Sequence, residues 1–221
     1  VGGQGQAAAL DSEAKAMYIP KSNRADDRAQ LHELMRQYNF ATLVTQHQGA
    51  PFATHLPFLL DAERGAHGTL LAHMARANPQ WRDFAAGEAL VIFQGPHAYI
   101  SPSWYQSHPS VPTWNYAVAH AYGAPRLIED HDTLYRMLEL LVDTHEAAFP
   151  QPWRLNLPED YMGKMMRAVV GFEIEITRLE GKLKLSQNRS ETDQARVIEA
   201  LARSDYPLDR DLANLMLPIE R

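Results

Sequence analysis

The chain has no cysteine among its 221 residues. Disulfides, thiolate metal centres and cysteine nucleophiles are therefore excluded, and the composition is compatible with a reducing compartment. No apolar run approaches the length of a membrane span, so no membrane role is expected. Positive charge is not in excess either. Twenty-one Lys and Arg stand against 27 Asp and Glu, for a formal net charge of −6. No global basic field exists to attract nucleic acid, and DNA is left open as a partner only through a local basic patch. No Gly-rich turn follows the first strand-like run, which argues against a dinucleotide-binding doubly wound sheet. There is no Gly-x-Ser-x-Gly elbow, no His-x-x-x-His pair and no His-Glu-x-x-His helix.

What is present suffices for a real core, since 45% of the residues are hydrophobic. The first sixteen residues, rich in Gly, Ala and Gln, lack both a basic n-region and an apolar h-region, so they do not read as a signal peptide. Residues 1–16 read as an appended remnant or a disordered leader, with Met17-Tyr-Ile-Pro as the natural start. Residues 17–221 read as a single domain with C-terminal helices. A cytoplasmic location is the default expectation.

Leu31, Leu34, Met35 and Tyr38 recur at helical spacing, predicting a helix over 26–38. Runs at 40–45, 52–60 and 69–74, separated by Gly-containing or polar turns, predict a three-stranded antiparallel meander, with Pro57 marking an edge or a bulge. Asn78-Pro79 reads as an N-cap followed by proline at the first helical position, opening a helix over 79–85. Residues 89–93 form a short apolar strand suited to the centre of a barrel. Gly95-Pro96 then turns the chain into a second short strand at 98–101. A loop over 102–112 leads to a long alternating strand at 113–127. An amphipathic helix at 132–149, a strand at 166–179 with a continuation at 181–185, and a helix at 190–202 follow. Ser190 and Asp193 have capping-box spacing in that last helix. Many short strands with few intervening helices predict an α+β fold, a small antiparallel barrel with peripheral helices.

Three constellations carry chemistry. Leu71 to Trp81 runs from a strand through a loop carrying Arg76 into the helix start at Asn78-Pro79. Backbone N–H groups, helix dipole and guanidinium converge there on one anion, unless the stretch is an ordinary capped turn with a solvated arginine. Tyr99, Trp104, Tyr105, Trp114 and Tyr116 cluster around one loop, and they suit a wall for a flat heterocycle, an aromatic minicore or a dimer interface equally. Glu180 to Arg189 places Lys182 and Lys184 on one strand face and Ser186, Gln187 and Asn188 at a strand-to-helix junction, either a ligand edge or a solvated, well-capped segment. The histidines are scattered. His55 and His73 fall on strands expected to be neighbours, where hydrogen-bonded histidines on a sheet face are the ordinary reading and no metal is assigned.

Six motifs then occur in order: Met17-Tyr-Ile-Pro, Ala53-Thr-His-Leu-Pro57, His73-Met-Ala-Arg-Ala-Asn-Pro-Gln-Trp81, Ala98-Tyr-Ile-Ser-Pro-Ser-Trp-Tyr105, Val111-Pro-Thr-Trp-Asn-Tyr116 and Lys184-Leu-Ser-Gln-Asn-Arg189. Together, from Met17 to about Leu201, they resemble the PaiB family of FMN-binding transcriptional regulators. The resemblance implies a split β-barrel related to pyridoxamine-phosphate oxidases and flavin reductases, a homodimer, and FMN held in a cleft between subunits. It implies that Thr54, His55 and Leu56 line the isoalloxazine and that His73, Arg76 and Asn78 surround the phosphate, with Met74 also in the site. Ser101, Trp104, Tyr105 and Trp114 complete it, from the other subunit in one arrangement, and Lys184, Gln187 and Asn188 close the edge. The expected function is a regulator or flavin-dependent sensor. The alternatives are a flavin-dependent reductase or oxidase, whose catalytic residues the sequence leaves unassigned, and a split-barrel protein binding haem as its planar ligand.

Overall fold

The computed structural model describes residues 16–217. The leader assigned to 1–16 therefore lies outside the described residues except for its last position. Internal contacts divide the chain into two compact units. One comprises the stretch ending at Ala25, Pro96–Ala117 and the stretch from Lys182 onward; the other comprises Asp26–Gly95 and Val118–Gly181.

Among the described residues, ten strands form two antiparallel sheets. The six-stranded sheet has the order β1 (Arg24–Ala25), β10 (Arg178–Lys184), β7 (Thr113–Gly123), β6 (Ala89–Ile100), β2 (Phe40–His47) and β3 (Ala50–Pro57). The four-stranded sheet has the order β4 (Leu59–Asp61), β5 (Thr69–Ala75), β9 (Val169–Glu175) and β8 (Pro125–Leu127). The helices are α1 (Arg28–Gln37), α2 (His131–Glu146), α3 (Glu159–Arg167), α4 (Glu191–Ala202) and α5 (Pro207–Met216). The fold class is α+β, as the strand-rich pattern requires.

The helix expected over 26–38 is α1, opened by the Asp27 carboxylate, which accepts from the N–H groups of Ala29 and Gln30. The meander needs correction. Its second strand breaks at Pro57-Phe58, so β3 stays with β2 in one sheet while β4 pairs with β5 in the other. β3 and β5 are therefore not hydrogen-bonded neighbours, and His55 faces Thr42 across β2 instead.

Gly95-Pro96 does not end the strand: β6 continues through it, 12 residues in all. Val91 and Phe93 are buried in alternation, then Gly95 and Pro96 are buried consecutively, and burial resumes at Ala98 and Ile100. The alternation slips by one residue, as at a bulge, which is how a strand accommodates proline. The strand expected over 113–127 instead ends at Gly123, where a methyl group would overlap the Glu175 carbonyl oxygen, and resumes as β8 in the other sheet. The expected helix at 79–85 is a 3₁₀ helix, Pro79–Ala86. The sequence reading missed α3, whose Met162 and Met166 are buried one turn apart, and also missed α5.

Each unit has its own core. In the larger one, Phe58 packs edge-on against Phe93 and Phe172, and Phe84 lies 4.9 Å from Phe172, all four buried. On the opposite face of the four-stranded sheet, Leu71 joins Leu134, Met137 and Leu141 of α2 and Met162 and Met166 of α3. In the smaller unit, Ile100 and Tyr105 pack with Val197 and Leu201 of α4 and Leu212 of α5. Burial of such side chains contributes roughly 1.5–3 kcal/mol each.

Candidate ligand-binding site

The residues singled out by sequence fall into two sets, one in each unit. In the larger unit the centre is the loop between β5 and the 3₁₀ helix. Asn78 caps that helix: its Oδ1 accepts from Gln80 N at 3.0 Å while its Nδ2 donates to Thr54 Oγ1 at 3.0 Å. The capped turn is thereby tied to the edge strand β3. Gln80, wholly buried, anchors the turn from beneath. Its Nε2 lies within 3.2 Å of Leu43 O, Thr45 Oγ1 and Phe52 O. The same helix is also held to β2 through Asp83 Oδ2, which is 2.6 Å from His47 Nδ1. Sequence reasoning gave Gln80 and Asp83 no role, because a glutamine and an aspartate in the first turns of a helix look like ordinary solvated residues.

Arg76 is not a freely solvated cation. Its Nε donates to Arg167 O at 2.7 Å and its Nη2 to Val169 O at 2.8 Å. Its own N–H donates to Ala168 O at 2.8 Å, and its carbonyl accepts from Trp81 Nε1 at 3.1 Å. The guanidinium is therefore oriented by backbone while its residue stays exposed, with Nη1 outside these bonds. A planar cation fixed in this way loses little freedom when it meets an anion.

Other residues of this set diverge. Thr54 is half-buried, His55 exposed and Leu56 buried, as strand alternation requires. His55 Nδ1 lies 2.9 Å from Thr42 Oγ1, and the ring stacks near Phe40. His73 and Met74 point to opposite sheet faces. His73 is paired with Gly171, whose position lies under Leu134 and Met137 of α2, whereas Met74 shares the face of Ala72 and Phe172. Burial lowers the His73 pKa, and its Nδ1 is buried without a hydrogen-bond partner among the described residues. The ring is accordingly neutral at pH 7. Among the described residues no group of three His, Asp or Glu side chains is placed to hold a metal.

In the smaller unit, Ser101 caps the 3₁₀ turn Pro102–Trp104, its Oγ accepting from Ser103 N. Trp104 is half-buried against the α4 and α5 cluster. Tyr105 is buried beneath the Arg189 guanidinium, 4.2 Å from the ring centre. Trp114 is 54% exposed and forms an aromatic patch with Tyr99 and His97, at 6.1 and 6.4 Å. Lys184 Nζ donates to Trp114 O at 2.7 Å and to Thr113 Oγ1, so the lysine is attached to the strand that carries the tryptophan. Gln187 folds back on its own turn, accepting from Leu185 N and donating to Leu183 O, and Asn188 is exposed. The structure thus brings Trp114 and Lys184 together, and places Tyr105 in the core.

The capping box is also redirected. Ser190 Oγ accepts from Asp193 N, but the buried Asp193 carboxylate accepts from Gln106 N at 2.7 Å and pins the 105–107 loop. Desolvation raises the Asp193 pKa, and the hydrogen bonds from Ser107, Gln106 N–H and Ser190 outweigh it, leaving the carboxyl below its ordinary value.

Residues 17–178 match the family described as "Putative FMN-binding domain". The chain is 40% identical over 203 residues to the protease synthase and sporulation protein PAI 2 of Bacillus subtilis, covering 90% of this chain and 96% of that one. It is 29% identical over 241 residues to the uncharacterized protein AN0679 of Emericella nidulans, covering 90% and 96%. In structure it is similar to the FAD and heme binding protein from Mycobacterium smegmatis, with a TM-score of 0.57 at 19% identity over 78% of this chain and 79% of the other. It is likewise similar to the flavocytochrome Anf3 from Azotobacter vinelandii, with a TM-score of 0.57 at 14% identity over 80% and 78%. Both structural likenesses speak to the fold, a split β-barrel. Matched over residues 17–178 and close to PAI 2 along nearly its whole length, the chain belongs to the FMN-binding domain family.

Proposed function

We propose that the protein binds FMN, acts as a homodimer, and serves as a transcriptional regulator or flavin-dependent sensor. The observation that carries the ligand reading is the immobilised Arg76 beside the capped turn that Asn78 ties to β3. A phosphate monoester fits such a donor set, because the cation is oriented before the anion arrives. Arg76 and Asn78 are assigned to the phosphate, and Thr54 to Leu56 of the edge strand to the ring. The exposed patch of Trp114 and Tyr99 is assigned to a second copy's contact with the ring or to the dimer interface. Bound flavin would supply redox chemistry, and hence a signal that depends on oxidation state.

The regulatory part of the proposal draws on PAI 2, whose name ties that relative to protease synthesis and sporulation. With 27 acids against 21 bases, regulation is assigned to the ligand state or a partner rather than to strong non-specific DNA binding. Among the described residues no helix is long and apolar enough to cross a membrane. The test is the visible spectrum and mass of whatever copurifies, followed by FMN titration. Fluorescence anisotropy on a labelled duplex across a salt series is then run with and without FMN. A flavin spectrum and saturable FMN binding support the reading. A haem Soret band, or NAD(P)H oxidation well over background, replaces it with a haem protein or a flavin-dependent reductase. Submicromolar duplex binding with a steep salt slope replaces the indirect account with direct repression.

A further inference from the structure

A cavity of about 760 Å³ lies between the start of α2 and α3. Its apolar lining is Tyr135, Leu157 and Met162, and its charges come mainly from one helix. Glu159 and Asp160 sit in the first turn of α3, Lys164 and Arg167 in the last. The remaining titratable groups at its wall are His131, which lies 3.4 Å from Asp132, and the Tyr135 phenol, which donates to Leu155 O at 3.4 Å. Asp160 and Lys164 have the i,i+4 spacing that commonly forms an ion pair. Among the described residues, neither they nor Glu159 nor Arg167 makes one. Two acids and two bases are thus presented along one wall. At 1.5 Å rise per residue the acids and bases are spaced by roughly 6 to 12 Å along the helix axis.

Gly163, midway along α3, adds an independent feature. A glycine inside a helix is destabilising by about 1 kcal/mol relative to alanine. A Cβ at this position would lie 3.4 Å from Arg167 Nη1, in ordinary van der Waals contact, so the guanidinium folds back over the helix beside the cavity. The wall also connects to the candidate phosphate loop. The carbonyls of Arg167, Ala168 and Val169, at and just beyond the end of α3, accept from Arg76 Nε, Arg76 N and Arg76 Nη2.

We propose that this cavity binds a short zwitterionic ligand, a di- or tripeptide with apolar side chains, and that binding is transmitted through the end of α3 to Arg76. The ammonium group meets Glu159 and Asp160, the carboxylate meets Lys164 and Arg167, and the side chains lie on Leu157, Met162 and Tyr135. A simple anion would leave the two acids facing it, and a simple cation the two bases; only a dipolar ligand uses both pairs. Transmission to a ligand site rests on the flavin reading, but occupancy of the cavity and its effect on Arg76 do not.

The test uses the full chain and the dipeptide Leu-Leu, with N-acetyl-Leu-Leu-amide as the uncharged control. Isothermal titration is run on the wild type, on the double variant Lys164→Gln/Arg167→Gln, and on Glu159→Gln/Asp160→Asn. These replacements leave the Arg167 carbonyl in place, so Arg76 keeps its acceptor. Amide exchange at 75–78 reports transmission without any flavin. The expected result is saturable Leu-Leu binding, weakened roughly tenfold or more in each double variant and in the capped peptide, with slower exchange at Arg76 when Leu-Leu is bound. Equal binding of the capped peptide, unchanged affinity in both folded variants, or no saturable binding at millimolar Leu-Leu overturns the site. Binding with unaltered exchange at Arg76 overturns the transmission. Failure of FMN to bind in a parallel titration refutes the flavin reading alone.

Discussion

Replacing Arg76 by alanine separates a structural from a recognition role. The side chain contributes two charge-assisted hydrogen bonds to the carbonyls of Arg167 and Val169. Bonds to charged groups are worth about 1.5–3 kcal/mol each when desolvated, and this residue is exposed, so their combined loss is set at about 1–3 kcal/mol. The backbone bond from Arg76 N to Ala168 O survives the substitution, which keeps the loop close to its path. The ligand effect is separate. Removing a phosphate-facing guanidinium costs about 1.5–3 kcal/mol of binding, or roughly 10- to 150-fold in Kd for FMN. Arg76→Lys distinguishes the two: it keeps the charge but loses the planar fork, so it should recover part of the affinity and little of the stability. Urea unfolding measures the first quantity and FMN fluorescence quenching the second. If Arg76→Ala binds FMN as the wild type does while remaining folded, Arg76 has no phosphate role and its two bonds are purely structural.

Further outcomes follow from the packing. The folded-state pKa of His73 is lowered by burial, so the unfolded chain binds the proton more readily. Stability is therefore full above the ordinary histidine pKa near 6.5 and falls as pH drops below it. Urea midpoints from pH 7.5 to 5 should decline for the wild type and less for His73→Leu; parallel curves would show that His73 is not the titrating group. His120, lowered by desolvation with opposing effects from Glu180 and Arg178, acts in the same direction and is read with His120→Gln. Gly123→Ala should destabilise by about 3 kcal/mol, because the new methyl overlaps the Glu175 carbonyl oxygen rather than a yielding side chain. A thermal midpoint within a degree of the wild type would contradict that geometry. Trp114→Ala, which removes a 54%-exposed indole, should leave the fold intact while weakening self-association in sedimentation at micromolar concentration.

The legibility of the chain depended on how local each cause was. The helices α1, α2 and α4 were readable because a capping carboxylate or hydroxyl and a 3.6-residue apolar stripe lie within a few residues of one another. The capped turn at Asn78-Pro79 was readable for the same reason; the strand pattern gave a small antiparallel barrel, and its split form was implied by the family resemblance of six motifs in order. Helix α3 was not, because its buried Met162 and Met166 merge into the apolar alternation of the strand that follows. The Gly95-Pro96 pair looked like a turn, since proline's missing donor ordinarily ends a strand. Only the sheet shows that one slipped residue accommodates it. The break at Pro57 was visible, but the transfer of β4 to another sheet depends on partners far along the chain.

The candidate site divides in the same way. Residue types and spacing by themselves determined that a cation, an N-cap and an aromatic group occur at fixed points of the sequence. Tertiary structure decided how each is used. It turned Arg76 onto the carbonyls of 167 and 169, some ninety residues away. It buried Tyr105 beneath Arg189, and it directed the Asp193 carboxylate to a loop rather than back to its own helix. Hydrogen-bond acceptors in backbone carbonyls leave no trace in a residue pattern, because every residue has one and only folding determines which are within reach.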